Sequence, residues 1–102
     1  MIDRLRALVR AGRYRLTLHA EGERDADQIT ISEIETALLG PETVVIEDYP
    51  DDPRGHSVLV LGFTEDEQPL HMVCSIHENH AILITVYRPD PQRWVDWRER
   101  KE

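Results

Sequence analysis

The chain predicts an α+β domain, on three observations. Helical spacing of apolar residues is confined to the first forty residues and to the extreme C-terminal end. Between them, Thr43 to Tyr87 reads as strand and turn with no helical interruption. The two kinds of element therefore follow one another in blocks and do not alternate as βαβ units, which points to N-terminal helices packed on a twisted four-stranded antiparallel sheet, closed by a short C-terminal helix.

The elements follow in order. Ile2, Leu5, Leu8 and Val9 fall on one helical stripe, with arginines elsewhere, and Gly12 stops that helix. Tyr14 to Leu18 alternates as a short strand, with Leu16 and Leu18 inward and Arg15, Thr17 and His19 outward. Residues 19–28 form a polar helix of one to two turns. Thr30 then caps a helix with Glu33 as its capping-box partner, and Ile29 and Ile34 form the hydrophobic staple. Ser32 with Glu35 is a competing frame for the same start. Gly40-Pro41 ends it.

Strands are expected at 43–49, 56–63, 69–76 and 80–87. Their turns are Pro50-Asp51-Asp52-Pro53, Thr64-Glu65-Asp66-Glu67 and Glu78-Asn79. Ile82, Ile84 and Val86 are expected to face the helices. Asp90 caps a last helix with Pro91 at its first position, and Trp94 and Trp97 pack that helix back on the sheet.

With 102 residues, 40% of them hydrophobic and 31% charged, the chain suits one globular domain with one modest core. No apolar run is longer than a strand, so neither a membrane span nor a signal peptide is expected. Cys74, the single cysteine, cannot form an internal disulfide, which suits a reducing cytoplasm. One cysteine and five scattered histidines do not make the usual zinc site, and no cofactor fingerprint is present. The net charge of −8 disfavours non-specific nucleic-acid binding. Its distribution is uneven. Residues 1–15 hold five arginines against Asp3, residues 16–67 hold fourteen acids against Arg24 and Arg54, and the remainder is neutral.

The candidate site lies on two apolar strands. His71 and Ser75 share one side of the first, and Thr85 and Tyr87 share one side of the second. Such groups are costly when buried without partners, and a ligand-binding face would carry them.

Four pieces, Leu18-His19-Ala20-x-x-Glu23-Arg24, Ile29-Thr30, Pro69-Leu70-His71-Met72-Val73 and Ile84-Thr85-Val86-Tyr87-Arg88-Pro89-Asp90-Pro91-x-x-Trp94, resemble in that order the family called domain of unknown function 4258. That family is similar to the RelE/BrnT/MqsR superfamily of ribonuclease toxins. The resemblance implies a RelE-like fold. It implies a metal-independent endoribonuclease (an mRNA interferase) from a type II toxin–antitoxin module. It also implies an antitoxin partner, often with a YgiT-type zinc finger. Two features depart from it: the acidic charge, and Asp25-Ala26-Asp27-Gln28 where relatives continue with basic residues.

Metal-free RNA cleavage needs a base for the 2′-hydroxyl, a cation for the phosphate and an acid for the leaving oxygen. His71 and His19 suit acid and base, Arg24 and Arg54 suit the cation, and Tyr87 can orient a phosphate or stack a base. Thr85, Ser75 and Arg88 complete the substrate contacts, although Arg88 points away from Tyr87 if the strand stays regular. Each residue also has a plainer reading. His71 is then a hydrogen-bonded core histidine, His19 a helix-entry residue, and Arg24 an ion-pair partner of Glu21, Glu23 or Asp27. On that plainer reading the protein is a catalytically inactive module binding a small antitoxin-like partner.

Overall fold

The computed structural model describes residues 1–102. It is an α+β arrangement, with three helices on one side of a mixed five-stranded sheet and a small C-terminal hairpin on the other. Helix α1 (Ile2–Arg10) places Leu5 and Val9 in the core. Gly12, at φ +73°, lets the chain reverse there: its N–H bonds Val9 O and the Arg13 N–H bonds Leu8 O, a Schellman ending. Strand β1 (Tyr14–Leu16) follows, then helix α2 (Leu18–Ala26), capped by Thr17.

Helix α3 (Ile31–Leu39) starts on the expected capping box. The Thr30 hydroxyl accepts from Glu33 N and the Glu33 carboxylate accepts from Thr30 N. Ile29 and Ile34 are both buried in the core, so the staple forms as well. Glu35 of the competing frame instead accepts the Tyr14 hydroxyl at 2.6 Å.

The strands are β2 (Val44–Tyr49), β3 (Ser57–Phe63), β4 (Pro69–His77) and β5 (His80–Tyr87), joined as an antiparallel meander. The sheet order is β1-β5-β4-β3-β2. It has five strands and not four, because β1 adds to β5 in parallel, with Arg15 opposite Ile82 and Leu16 opposite Leu83. Its backbone is satisfied at both ends: Ala81 N bonds Arg13 O, and Thr17 N bonds Leu83 O.

The main core lies between helices and sheet. It joins Leu5, Val9, Ile34 and Leu38 to Val58, Val60, Leu70, Met72, Cys74, Leu83 and Val86. Helix α3 presses closely on β3. A Cβ on Gly62 would stand 2.1 Å from the Ala37 carbonyl oxygen, so only glycine fits there.

Three expectations are corrected. The register of β4 against β5 slips between Val73 and Cys74, leaving Ile84 as the extra residue. Beyond that bulge the faces exchange. Ala81, Leu83 and Val86 therefore face the helices, while Ile82 and Ile84 lie on the opposite face with Thr85 and Tyr87. Leu18 is 92% exposed, because Thr17 turns the chain into α2 one residue earlier than a continuing strand would.

The C-terminal helix does not form. Asp90 does cap, its carboxylate accepting Gln92 N at 2.8 Å, but only a turn follows. The chain then makes a hairpin of β6 (Trp94–Val95) and β7 (Glu99–Arg100), turning at Asp96 and Trp97, both with positive φ. No helix is long and apolar enough to cross a membrane.

Candidate functional site

The face of the sheet turned away from the helices carries the polar row, and cross-strand register orders it. One rung runs Tyr87, His71, Leu61 and Val44; the next runs Thr85, Val73, Leu59 and Glu47. The rung toward the other end runs Arg15, Ile82, Ser75, Ser57 and Tyr49. The C-terminal hairpin covers the first end and leaves the other open.

Under the hairpin, His71 is wholly buried. Its Nε2 lies 2.7 Å from the Trp97 carbonyl oxygen and its Nδ1 lies 3.0 Å from the Tyr87 hydroxyl. A carbonyl only accepts, so Nε2 carries the proton and Nδ1 accepts from Tyr87. The imidazole meets both Trp94 and Tyr87 edge to face, with centroids 4.4 Å and 5.3 Å away. Burial pushes its pKa down, while the Trp97 carbonyl and nearby Glu47 favour the cation. The positive φ at Trp97, unusual for a bulky side chain, belongs to the turn that brings this carbonyl over His71.

Arg100 fastens the hairpin to β2. It donates two bonds to the Glu47 carboxylate, at 2.9 and 3.0 Å, and lies over the Trp94 ring. The Tyr49 hydroxyl donates to the same carboxylate. Arg100 holds the Glu47 pKa down, and Glu47 holds that of Arg100 up.

Tyr87 reaches two environments. Its hydroxyl bonds buried His71, and its side chain lines a cleft of about 600 Å³ beside the hairpin. Burial pushes its phenol up to about 12, so it stays a neutral hydroxyl near pH 7. Arg88, Arg93, Arg100 and Lys101 line that cleft, against Asp90 and Glu102. Arg93 and Lys101 have no side-chain partner; Arg88 is held by the Asp27 and Gln28 carbonyls and the Glu33 carboxylate.

The edge of β5 beyond β1 is closed by α2. Glu23 accepts from Val86 N at 3.0 Å and Asp27 accepts from Arg88 N at 3.1 Å, two acids one helical turn apart standing in for a strand. His19 pairs with Glu23 at 3.2 Å on the same stripe and is exposed. The departure at Asp25 to Gln28 thus includes a backbone cap at Asp27.

The structure unites some candidates and separates others. His71 and Tyr87 touch, and Thr85 adjoins them on β5. Arg24 is bound to Glu21 and to the Ile29 carbonyl, a joint between helices. Arg54 is held by Asp52, which also accepts the Ser57 hydroxyl. Arg54 and Ser75 belong to the open end, where a hollow of about 310 Å³ is also lined by Arg15, Thr17, His77, Ile82 and Ile84.

Sequence reasoning missed Glu47, Tyr49 and Arg100 around His71, and Arg93 and Lys101 in the cleft. Nothing local in β2 marks Glu47 as an anchor. The two tryptophans beside Arg100 did mark the C-terminus as a packing element, though of the wrong kind.

No curated protein and no solved structure matches this chain significantly. A family model described as domain of unknown function 4258 matches residues 16–88, from β1 through the whole sheet to Arg88. The chain belongs to the domain of unknown function 4258 family.

Proposed function

We propose that the protein is the toxin-like component of a bacterial type II toxin–antitoxin module, with a RelE-like sheet, that cleaves mRNA in the cytoplasm without a metal. The observation that carries this reading is the cleft. In a chain of net charge −8, four cations and two acids surround the one tyrosine that is hydrogen-bonded to a buried histidine. A phosphodiester suits such a cleft.

Tyr87, which reaches the cleft, is the catalytic residue, and His71 is its positioning residue and proton store. The 2′-oxygen attacks phosphorus and the bond to the 5′-oxygen breaks. The 2′-proton passes to the Tyr87 oxygen as the tyrosine's own proton passes to His71 Nδ1. The Trp97 carbonyl holds the imidazolium so formed. Water in the cleft protonates the 5′-oxygen, the hydroxide so formed regains a proton from His71 through Tyr87, and Arg93 and Lys101 face the charge building on the phosphate. His19, Arg24 and Arg54 take no part in this step.

The test is RNA cleavage by the purified protein, with growth arrest on expression. Tyr87→Phe is expected to lower the cleavage rate by about 10²–10⁴, with folding intact. Wild-type rates in Tyr87→Phe would remove the relay.

A second reading keeps the fold and drops the chemistry: an inactive module that binds a small antitoxin-like protein. Its supporting observation is that both nitrogens of His71 are spent inside the molecule. No cleavage and no arrest by wild type, with stable capture of the neighbouring gene's product, would favour it.

A further inference from the structure

At the open end of the same face, the Ser75 hydroxyl is left over. Ser75 is 8% exposed, yet its oxygen makes no hydrogen bond within the chain. Its neighbour in register, Ser57, donates to Asp52, and His71 four residues earlier has both nitrogens paired. No buried side-chain oxygen or nitrogen of the chain lacks a partner, so the Ser75 oxygen is open to the hollow and free to donate there. It lines the hollow of about 310 Å³.

The charged side chains that line the hollow with that hydroxyl are arginines, with the carboxylates of Asp52 and Glu78 outside the lining. Arg15, in the middle of β1, is exposed and makes no hydrogen bond or ion pair. His77 lies two residues beyond Ser75 on the same face of β4 and reaches the rim, 3.7 Å from the Glu78 carboxylate. Arg54 stands at the other side, already bound to Asp52. No carboxylate lines the hollow itself. Ile82 and Ile84, turned outward by the bulge, form an apolar wall beside it.

We propose that Ser75, Arg15 and His77 form an anion subsite that holds a phosphate group. The Ser75 hydroxyl donates one hydrogen bond, Arg15 donates a forked pair, and His77 closes the rim. The subsite lies four residues along β4 from His71, which is about 13 Å at strand rise. Thr85, whose hydroxyl is also without a partner, lies between them on β5. The subsite therefore receives a phosphate of the same strand whose scissile bond sits at Tyr87. That occupant rests on the RNA reading; the capacity to hold phosphate does not.

The test separates the two. Amide chemical shifts are followed during titration with inorganic phosphate, then with a short 5′-phosphorylated RNA and its unphosphorylated counterpart. Inorganic phosphate is expected to move the amides of Ser75, Ile82 and Arg15, and Arg15→Ala to weaken that response about tenfold. Ser75→Ala is expected to weaken it severalfold with the fold intact. Shifts confined to Arg93 and Lys101, or an unchanged response in Arg15→Ala, would overturn the subsite.

The RNA arms identify the source. An Arg15-dependent gain in affinity with unphosphorylated RNA assigns the subsite to internal phosphates of a strand. A gain only with the 5′-phosphate assigns it to a terminal monoester and overturns the shared-strand placement. If wild type cleaves RNA and Arg15→Ala raises KM with kcat unchanged, the subsite stands as a binding element. If it binds phosphate at Ser75 but cleaves nothing, the subsite stands and the nuclease reading falls.

Discussion

Four residues along one strand separate His71 from Ser75, and the two sit in opposite circumstances. Both are polar, nearly or wholly buried, and on the same face of β4. His71 lies beneath the C-terminal hairpin with both ring nitrogens bonded and two aromatic rings at its edges. Ser75 lies where the hairpin does not reach, with no internal partner and a hollow in front of it. One alternating pattern thus produced a group bonded on both sides within the molecule at one end and a hydroxyl open to a hollow at the other. What covers a face decides which of the two a buried polar residue becomes.

Stability measurements can break this comparison. His71→Ala removes the partner of the Tyr87 hydroxyl and of the Trp97 carbonyl, and leaves a cavity against Trp94. A loss of about 3 kcal/mol is expected by urea denaturation. A loss under about 1 kcal/mol would mean that the hairpin does not rest on His71.

The second effect is on pH. Burial holds His71 below the ordinary value of 6.5 that it regains on unfolding. The unfolded chain therefore binds more protons as pH falls below that value, and stability declines from about pH 7 toward 5. The slope reaches at most about 1.4 kcal/mol per pH unit and ends once His71 protonates in the folded state. Carboxylates held down in the fold, Glu33 and Glu47 among them, lose their contribution only at lower pH, as they are protonated. His71→Phe is expected to flatten the decline between pH 7 and 5. The same slope in wild type and variant would assign it to other groups.

Arg100→Ala tests the fastening of the hairpin. It breaks the paired bonds to Glu47 and the stack on Trp94, but the side chain is largely exposed. The expected loss is about 1 kcal/mol or less, with increased amide exchange at Val95 and Glu99.

The smallest effect is expected at the open end. Ser75→Ala removes a hydroxyl that bonds nothing within the chain, so stability should stay within about 0.5 kcal/mol. Arg15→Ala should be equally neutral. A clear loss in either would show that the hollow is held together by these groups and is not waiting for an anion.

Much of the fold was legible because local rules governed it. The Thr30–Glu33 box, the Ile29–Ile34 staple, the Gly12 ending and the Glu78-Asn79 turn each involve residues within a few positions of one another. The four long strands announced themselves by apolar content. The site was legible in part. The two-residue period placed His71 and Ser75 on one side of their strand and Thr85 and Tyr87 on one side of the next, and the resemblance to a family drew attention to Arg88. It also grouped His19, Arg24 and Arg54 with them, and these three are bound locally to Glu23, Glu21 and Asp52.

What the sequence determined by itself is the set of elements up to Tyr87, since capping, turn chemistry and periodicity act over a single turn or hairpin. Tertiary structure decided the rest. Parallel pairing of β1 with β5 joins residues nearly seventy positions apart, so no local signal encodes it. The bulge at Ile84 inverts the face of half of β5 through its register against β4. The last residues became a hairpin because Trp94, Trp97 and Arg100 found His71 and Glu47 on the far face of the sheet. A contact between distant segments, not the preference of the segment, settled its form.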